Sequence, residues 1–167
     1  MEIVVRTKTY EELKEWLKPD DKIVLMSCNV CVKGCGLGGK RILERLQKKL
    51  EKDGYKVIFS ELAGFTCNRD ILEDMKTSPV TKKYFDEATA IIPIACHDGI
   101  ENVEHVFNDK RIFHGYKSLG VGSISLKEGV KLEVPFDASL IEKLGIGDDG
   151  ILIKDAAQKL GYYTGGF

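Results

Sequence analysis

Lys22-Ile-Val-Leu-Met-Ser27, running straight into Cys28-Asn-Val-Cys31-Val-Lys-Gly-Cys35-Gly-Leu-Gly-Gly-Lys40, is the stretch on which the reading of this chain turns. The apolar run reads as a buried strand. Downstream, Arg41 to Leu50 places Ile42, Leu43, Leu46 and Leu50 on one face of a helix. A strand that enters a helix through a glycine-rich turn sets that turn at its own carboxyl end, where open α/β sheets bind ligands. Three of the chain's five cysteines lie in this turn, and the other two, Cys67 and Cys96, also come just after apolar runs.

The flanking sequence repeats the same alternation. Thr9-Tyr-Glu-Glu12 has capping-box spacing and opens a short helix to Leu17, stopped by Pro19 with Asp20-Asp21 as the turn. After the central helix, Gly54 serves as a C-cap and Tyr55 to Ser60 reads as a second strand. Asn68 caps a helical stretch from Arg69; Ser78-Pro79 splits it, leaving a second piece from Val80 to Glu87. Thr89 to Cys96 is the third strand, in which Pro93 implies an edge position, a bulge or an early break. Asp98 to Phe107 is helical, with Ile100, Val103, Val106 and Phe107 facing inward.

Strand followed by helix, repeated through Phe107, predicts a parallel sheet with right-handed crossovers. The expected fold is α/β: a three-layer Rossmann- or flavodoxin-like domain, its sheet mainly parallel, with the cysteine loops at the carboxyl ends of the strands. One domain spans 1–167, with a core over about 20–125 and a peripheral extension over 126–167. Arg111 to His114 and Ser118 to Val121 read as short strands, and Val130 to Val134 alternates like a β-ladder. Residues 137–144 and 151–160 read as peripheral helices, and Gly161 to Phe167 as a tail that is loose unless a partner orders it.

Composition narrows the function classes. Lysine plus arginine number 25 against 26 acids, a net charge of −1, so no basic face for nucleic acid is indicated. No apolar run approaches the length of a membrane span, and the N-terminus lacks a signal peptide's charged-then-apolar order. A cytoplasmic protein is expected, where the redox poise opposes disulfides and clustered cysteines are metal ligands or reactive thiols. No Ser-His-Asp set or paired carboxylates point to an independent hydrolase.

In a parallel sheet the loops carrying Cys28, Cys67 and Cys96 open on the same edge, and Cys31 or Cys35 can add a fourth thiolate. Four thiolates suit a tetrahedral zinc or a 4Fe-4S cluster and do not suit magnesium or calcium, which take oxygen ligands. Gly34, Gly36, Gly38 and Gly39 let the backbone approach closely, with N–H groups free to reach cluster sulfurs, and the helix start beyond favours thiolates. Two blander readings compete: buried cysteines as small core hydrophobes, strongest for Cys96, and a thiol redox switch. His97 could replace a thiolate, Arg69-Asp70 could brace the Cys67 loop, and His105 and His114 read as solvated or core residues.

The same loop also satisfies Gly34-x-x-x-x-Gly39-Lys40, the phosphate-cradling spacing, with Arg41 in place of the Ser/Thr that holds magnesium. That makes Gly34, Gly36, Gly38, Gly39 and Lys40 candidate nucleotide- or anion-binding residues, with plain anion binding at the helix start as the simpler form.

Cys28-x-x-Cys31-x-x-x-Cys35-x-x-Gly-Gly, Thr66-Cys67-Asn-Arg-Asp70 and Ala95-Cys96-x-x-Gly99 together resemble the N-terminal part of the small subunit of two-subunit methylenetetrahydrofolate reductases. Asp109 to Gly120 resembles the family's next segment more loosely, so the resemblance covers about 20–125. It implies an iron–sulfur cluster (or zinc) on Cys28, Cys31, Cys35, Cys67 and Cys96. It also implies a flavin-containing reductase subunit as docking partner, electron transfer to or from that flavin, and room for further redox subunits. The family continues into a second cysteine-rich segment, whereas no cysteine follows Cys96 here.

Overall fold

The computed structural model describes residues 1–167 and is mixed α/β, with one parallel and one antiparallel sheet of four strands each. The parallel sheet holds β2 (Lys22–Cys28), β3 (Lys56–Ala63), β4 (Ala90–Ile94) and β5 (Arg111–Ile112) in the order β3-β2-β4-β5. The antiparallel sheet holds β1 (Glu2–Arg6), β6 (Tyr116–Ser125), β7 (Gly129–Pro135) and β8 (Ile151–Leu152) in the order β1-β6-β7-β8.

Alternation along β2 explains how the layers assemble. Ile23 and Leu25 point into the larger core, with Leu43, Leu46 and Leu50 of α3 (Lys40–Lys52) and Ile3 to Val5 of β1. Val24 and Met26 point the other way, into a smaller core. There they meet Leu72 of α4 (Arg69–Thr77), Phe85 of α5 (Lys82–Glu87), and Val103 and Val106 of α6 (His97–Val106). Successive strand side chains alternate faces, so a continuous apolar run demands cover on both sides.

The capping box at Thr9 forms as expected: Thr9 Oγ1 accepts from the Glu12 N–H at 3.1 Å and Glu12 returns a bond to the Thr9 N–H at 2.7 Å, opening α1 (Tyr10–Trp16). Asn68 caps α4 by accepting from the Asp70 N–H at 3.0 Å. Pro93 lies inside β4, opposite Met26. It is tolerated because β5 ends opposite Ile91, leaving only β2 beside the strand at that level.

Two regions depart from the sequence reading. The N-terminal residues form β1, and the stretch read as a short strand at Ser118–Val121 is the middle of the ten-residue β6, hydrogen-bonded to both β1 and β7. Residues 126–167 supply β7, α7 (Ser139–Leu144), β8 and α8 (Ile153–Leu160), and Leu132, Leu144, Ile153 and Ala156 of that stretch join the larger core. The tail is not loose: Tyr163 bridges Arg6, and Phe167 is buried against Tyr10, Phe113 and Tyr116. A long-range aromatic seat of this kind leaves no periodic signal in a seven-residue tail. No helix is long and apolar enough to cross a membrane.

Candidate metal centre

The strand order reverses at β2: the chain leaves it for β3 on one side and returns to β4 on the other. A crevice opens outside the carboxyl ends of two strands that diverge in this way. Cys28 closes β2, and Cys96, the N-cap of α6, follows β4 by two residues. Cys67 comes from the loop after β3, four residues beyond Ala63. Cys31 opens α2 (Cys31–Gly34), the short helix that carries the chain from β2 toward α3.

These loops are tied to one another. The Cys28 thiol lies 3.8 Å from the Gly64 carbonyl of the Cys67 loop. The Asn102 side chain of α6 donates to the Cys67 carbonyl at 3.0 Å, and Arg69 reaches Asn102 at 3.5 Å, while of Asp70 only the backbone N–H is engaged, by the Asn68 cap. Thr66 is fully buried where the loop crosses the first turn of α6; a side chain at Gly99 would overlap its hydroxyl.

All five cysteines are free: Cys28, Cys35 and Cys96 are buried, Cys31 half-buried and Cys67 exposed. Burial pushes the Cys96 thiol up to about 12, opposed by the Gly99 N–H and reinforced by Glu2, Cys31 and Cys28. The Cys67 thiol is also raised, first by burial, then by the charges of Cys28 and, more weakly, Cys31 and Glu2. Cys28, Cys31 and Glu2 thus act on both Cys67 and Cys96. As the side chains stand, no three His, Cys, Asp or Glu groups are close enough to hold one ion, so a metal would have to draw the thiols inward.

Cys35 stands apart. Its sulfur accepts from the Val4 N–H at 3.3 Å and lies 3.8 Å from the Glu2 carbonyl, so it faces β1. Burial raises this thiol to about 11, offset in part by the Val4 N–H and reinforced by Cys31. Cys31 differs from it in place, half-buried at the start of α2.

The donor set fits a thiophilic group. Four sulfurs suit zinc or an iron–sulfur cluster, and either would force the raised thiols to ionise. Thr66 Oγ1, buried against Gly99 in the first turn of α6, has no hydrogen-bond partner.

Sequence reasoning missed Glu2. Its carboxylate accepts from the Ser118 hydroxyl, whose oxygen in turn accepts from the His97 N–H at 3.0 Å, and it acts on Cys35, Cys67 and Cys96. No local signal could have found it, because only the β1–β6 pairing carries residue 2 to this edge.

Other candidates fall elsewhere. His97 is exposed and pairs with Glu101 along α6 at 3.1 Å, and His105 and His114 are also on the surface. The loop glycines do not offer their N–H groups to a cluster. The N–H groups of residues 34–39 are taken inside the chain, among them Leu37 to the Val32 carbonyl at 2.8 Å and Gly39 to Ser27 Oγ at 2.9 Å. Gly38 is needed for close packing, since a side chain there would meet Val32 at 2.7 Å and Ser27 Oγ at 2.8 Å. Gly36, Gly38, Gly39 and Lys40 instead border a separate cavity of about 370 Å³ at the start of α3, while Gly34 lies under Met1 and Ile124. Compared with known proteins, the chain matches no family model, no curated protein and no solved structure.

Proposed function

We propose that Cys28, Cys31, Cys67 and Cys96 hold a 4Fe-4S cluster and that the chain is an electron-transfer subunit. The observation that carries this reading is that Cys28, Cys31, Cys67 and Cys96 all lie on the loops leaving the carboxyl ends of β2, β3 and β4, where the strand order reverses. We read the parallel half, in the order β3-β2-β4-β5, as a Rossmann- or flavodoxin-type sheet, whose ligands sit at that reversal.

A cluster held there would supply one-electron transfer. The chain's own residues would hold the Cys67 loop in place through the Asn102 and Arg69 brace and exclude water by the burial of Cys28 and Cys96. Val30 and Phe65, at 38% and 51% exposure, keep apolar surface at the lip of the crevice, as a docked partner would require. The resemblance in the cysteine loops makes that partner a flavin-containing methylenetetrahydrofolate reductase subunit, in a reducing compartment such as the cytoplasm.

The test is the visible spectrum of protein purified without oxygen. A broad absorption that dithionite bleaches, and that Cys67→Ser removes, supports the reading. A colourless protein holding zinc would make the same crevice a structural or docking module.

A further inference from the structure

The parallel sheet ends on one side at β3, which pairs with β2 alone. β3 is eight residues long, and outside that ladder no backbone group from Lys56 to Ala63 has a hydrogen-bond partner. The other sheet edges are short or covered. β5 and β8 have two residues each, and β1 is met along its outer side by Tyr163 and Cys35. A long free edge is a template on which another strand can pair.

A bulge decides what this edge presents. Lys56, Phe59 and Glu61 stand in register with Lys22, Val24 and Met26 of β2, so all three face the smaller core, while Val57 and Ile58 together span one position. Phe59 stacks on Tyr84 of α5, with 4.6 Å between ring centroids. Glu61 lines a cavity of about 310 Å³ with Ile71, Asp74 and Met75 of α4. Neither Glu61 nor Asp74 has a cation within ion-pair distance, and Lys56 has no carboxylate within it. One end of the edge thus carries an unpaired cation and the other an unpaired pair of acids, on the same face.

From this self-complementary pattern we propose that β3 pairs antiparallel with β3 of a second copy of this chain, about a two-fold axis at Phe59. The axis stands perpendicular to the sheet, so residues opposite one another share a face. Outward from Phe59, Ser60 falls opposite the bulge of the other copy and Glu61 opposite the partner's Lys56. That pair occurs twice in the dimer, with Asp74 behind each Glu61. Without the bulge, Lys56 would point to the other face and the charges would not meet. Lysines and bulges often guard an edge against pairing; here the bulge brings opposite charges level. The match of β3 to its own reverse selects a second copy over a strand from a different protein. Two four-stranded sheets join into one, parallel within each copy and antiparallel at the seam. One strand edge and two ion pairs make a small contact, so the dimer is reversible. The pairing does not depend on what the cysteines bind.

Sedimentation velocity of the full chain over a concentration series tests it, at low salt and with reductant so that exposed Cys67 forms no cross-link. The expected result is a monomer–dimer equilibrium. Lys56→Glu and Glu61→Lys should each weaken the dimer about tenfold, since each change acts at two cross-strand pairs. The double variant, with the charges exchanged, should regain wild-type association. Lys56 is exposed and Glu61 half-buried, and circular dichroism checks that each variant folds. A chain that stays monomeric at every concentration overturns the proposal and leaves the edge to a different protein. A dimer that neither single change weakens, or that the double variant does not restore, overturns this pairing. Cys67→Ser should dimerise as wild type does, so metal loss and loss of the dimer are separable.

Discussion

The Val4 N–H donates to the sulfur of Cys35 at 3.3 Å, joining β1 to the cysteine loop. A buried thiol tied to a backbone donor is a packing and hydrogen-bonding group, whatever its neighbours bind.

Cys35→Ala should accordingly leave metal content unchanged. It removes a buried sulfur and strands the Val4 N–H, so unfolding stability should drop by about 1–3 kcal/mol. Denaturant unfolding beside metal analysis checks both halves; loss of metal would return Cys35 to the ligand set.

Cys67→Ser and Cys96→Ser should each lose most bound metal. Cys67 is exposed, so its variant should fold as the metal-free wild type does, whereas Cys96, buried at the start of α6, should also lose some stability. Circular dichroism together with metal content separates ligand loss from misfolding.

At the opposite edge of the parallel sheet, Asp21 is 3% exposed. It accepts from Arg111 Nη1 at 2.8 and 3.0 Å, from Thr89 Oγ1 at 2.8 Å and from the Lys18 N–H at 2.8 Å. Arg111 also donates to the Trp16 carbonyl, so one ion pair pins the starts of β2, β4 and β5. Removing one partner of a buried pair is costly, and Arg111→Ala should destabilise by about 3 kcal/mol in thermal or denaturant unfolding.

Burial pushes the Asp21 carboxyl up, but the Lys18 N–H, the Thr89 hydroxyl and Arg111 together outweigh it and leave it below its ordinary value. The folded protein thus holds this proton less tightly than the unfolded chain. The stabilisation is full above the unfolded value of about 3.9 and is lost as pH falls through the lower folded value. Asp21→Asn should flatten the acid limb of the stability–pH curve; an unchanged limb would contradict this role.

In β6, side chains at Gly120 and Gly122 would overlap the Val134 and Lys131 carbonyls of β7. Gly122→Ala should push the hairpin apart and cost about 1–3 kcal/mol, measurable by denaturant unfolding. Gly36→Ala meets no atoms within 4 Å, but its φ of +75° predicts a smaller, purely backbone penalty.

The parallel half was legible because its signals are local: the apolar runs of β2 and β4, the one-faced α3, and caps at Thr9 and Asn68. The strand-end positions of Cys28, Cys67 and Cys96 followed from that alternation. The antiparallel sheet was only partly legible. β1 pairs with β6, more than 100 residues away in sequence, and the bulges at Ile3/Val4 and Val121/Gly122 interrupt any clean two-residue period. Glu2, the separate orientation of Cys35 and the seating of Phe167 all depend on that sheet. The glycine loop misled in one respect: spacing alone cannot tell N–H groups that face a ligand from N–H groups that close the loop on itself.

Iron and acid-labile sulfide analysis of anaerobically purified protein tests the central claim most directly. The account predicts about four irons and four sulfides per chain, both lost in Cys96→Ser and both kept in Cys35→Ala. About one zinc without sulfide, or no metal at all, would contradict it.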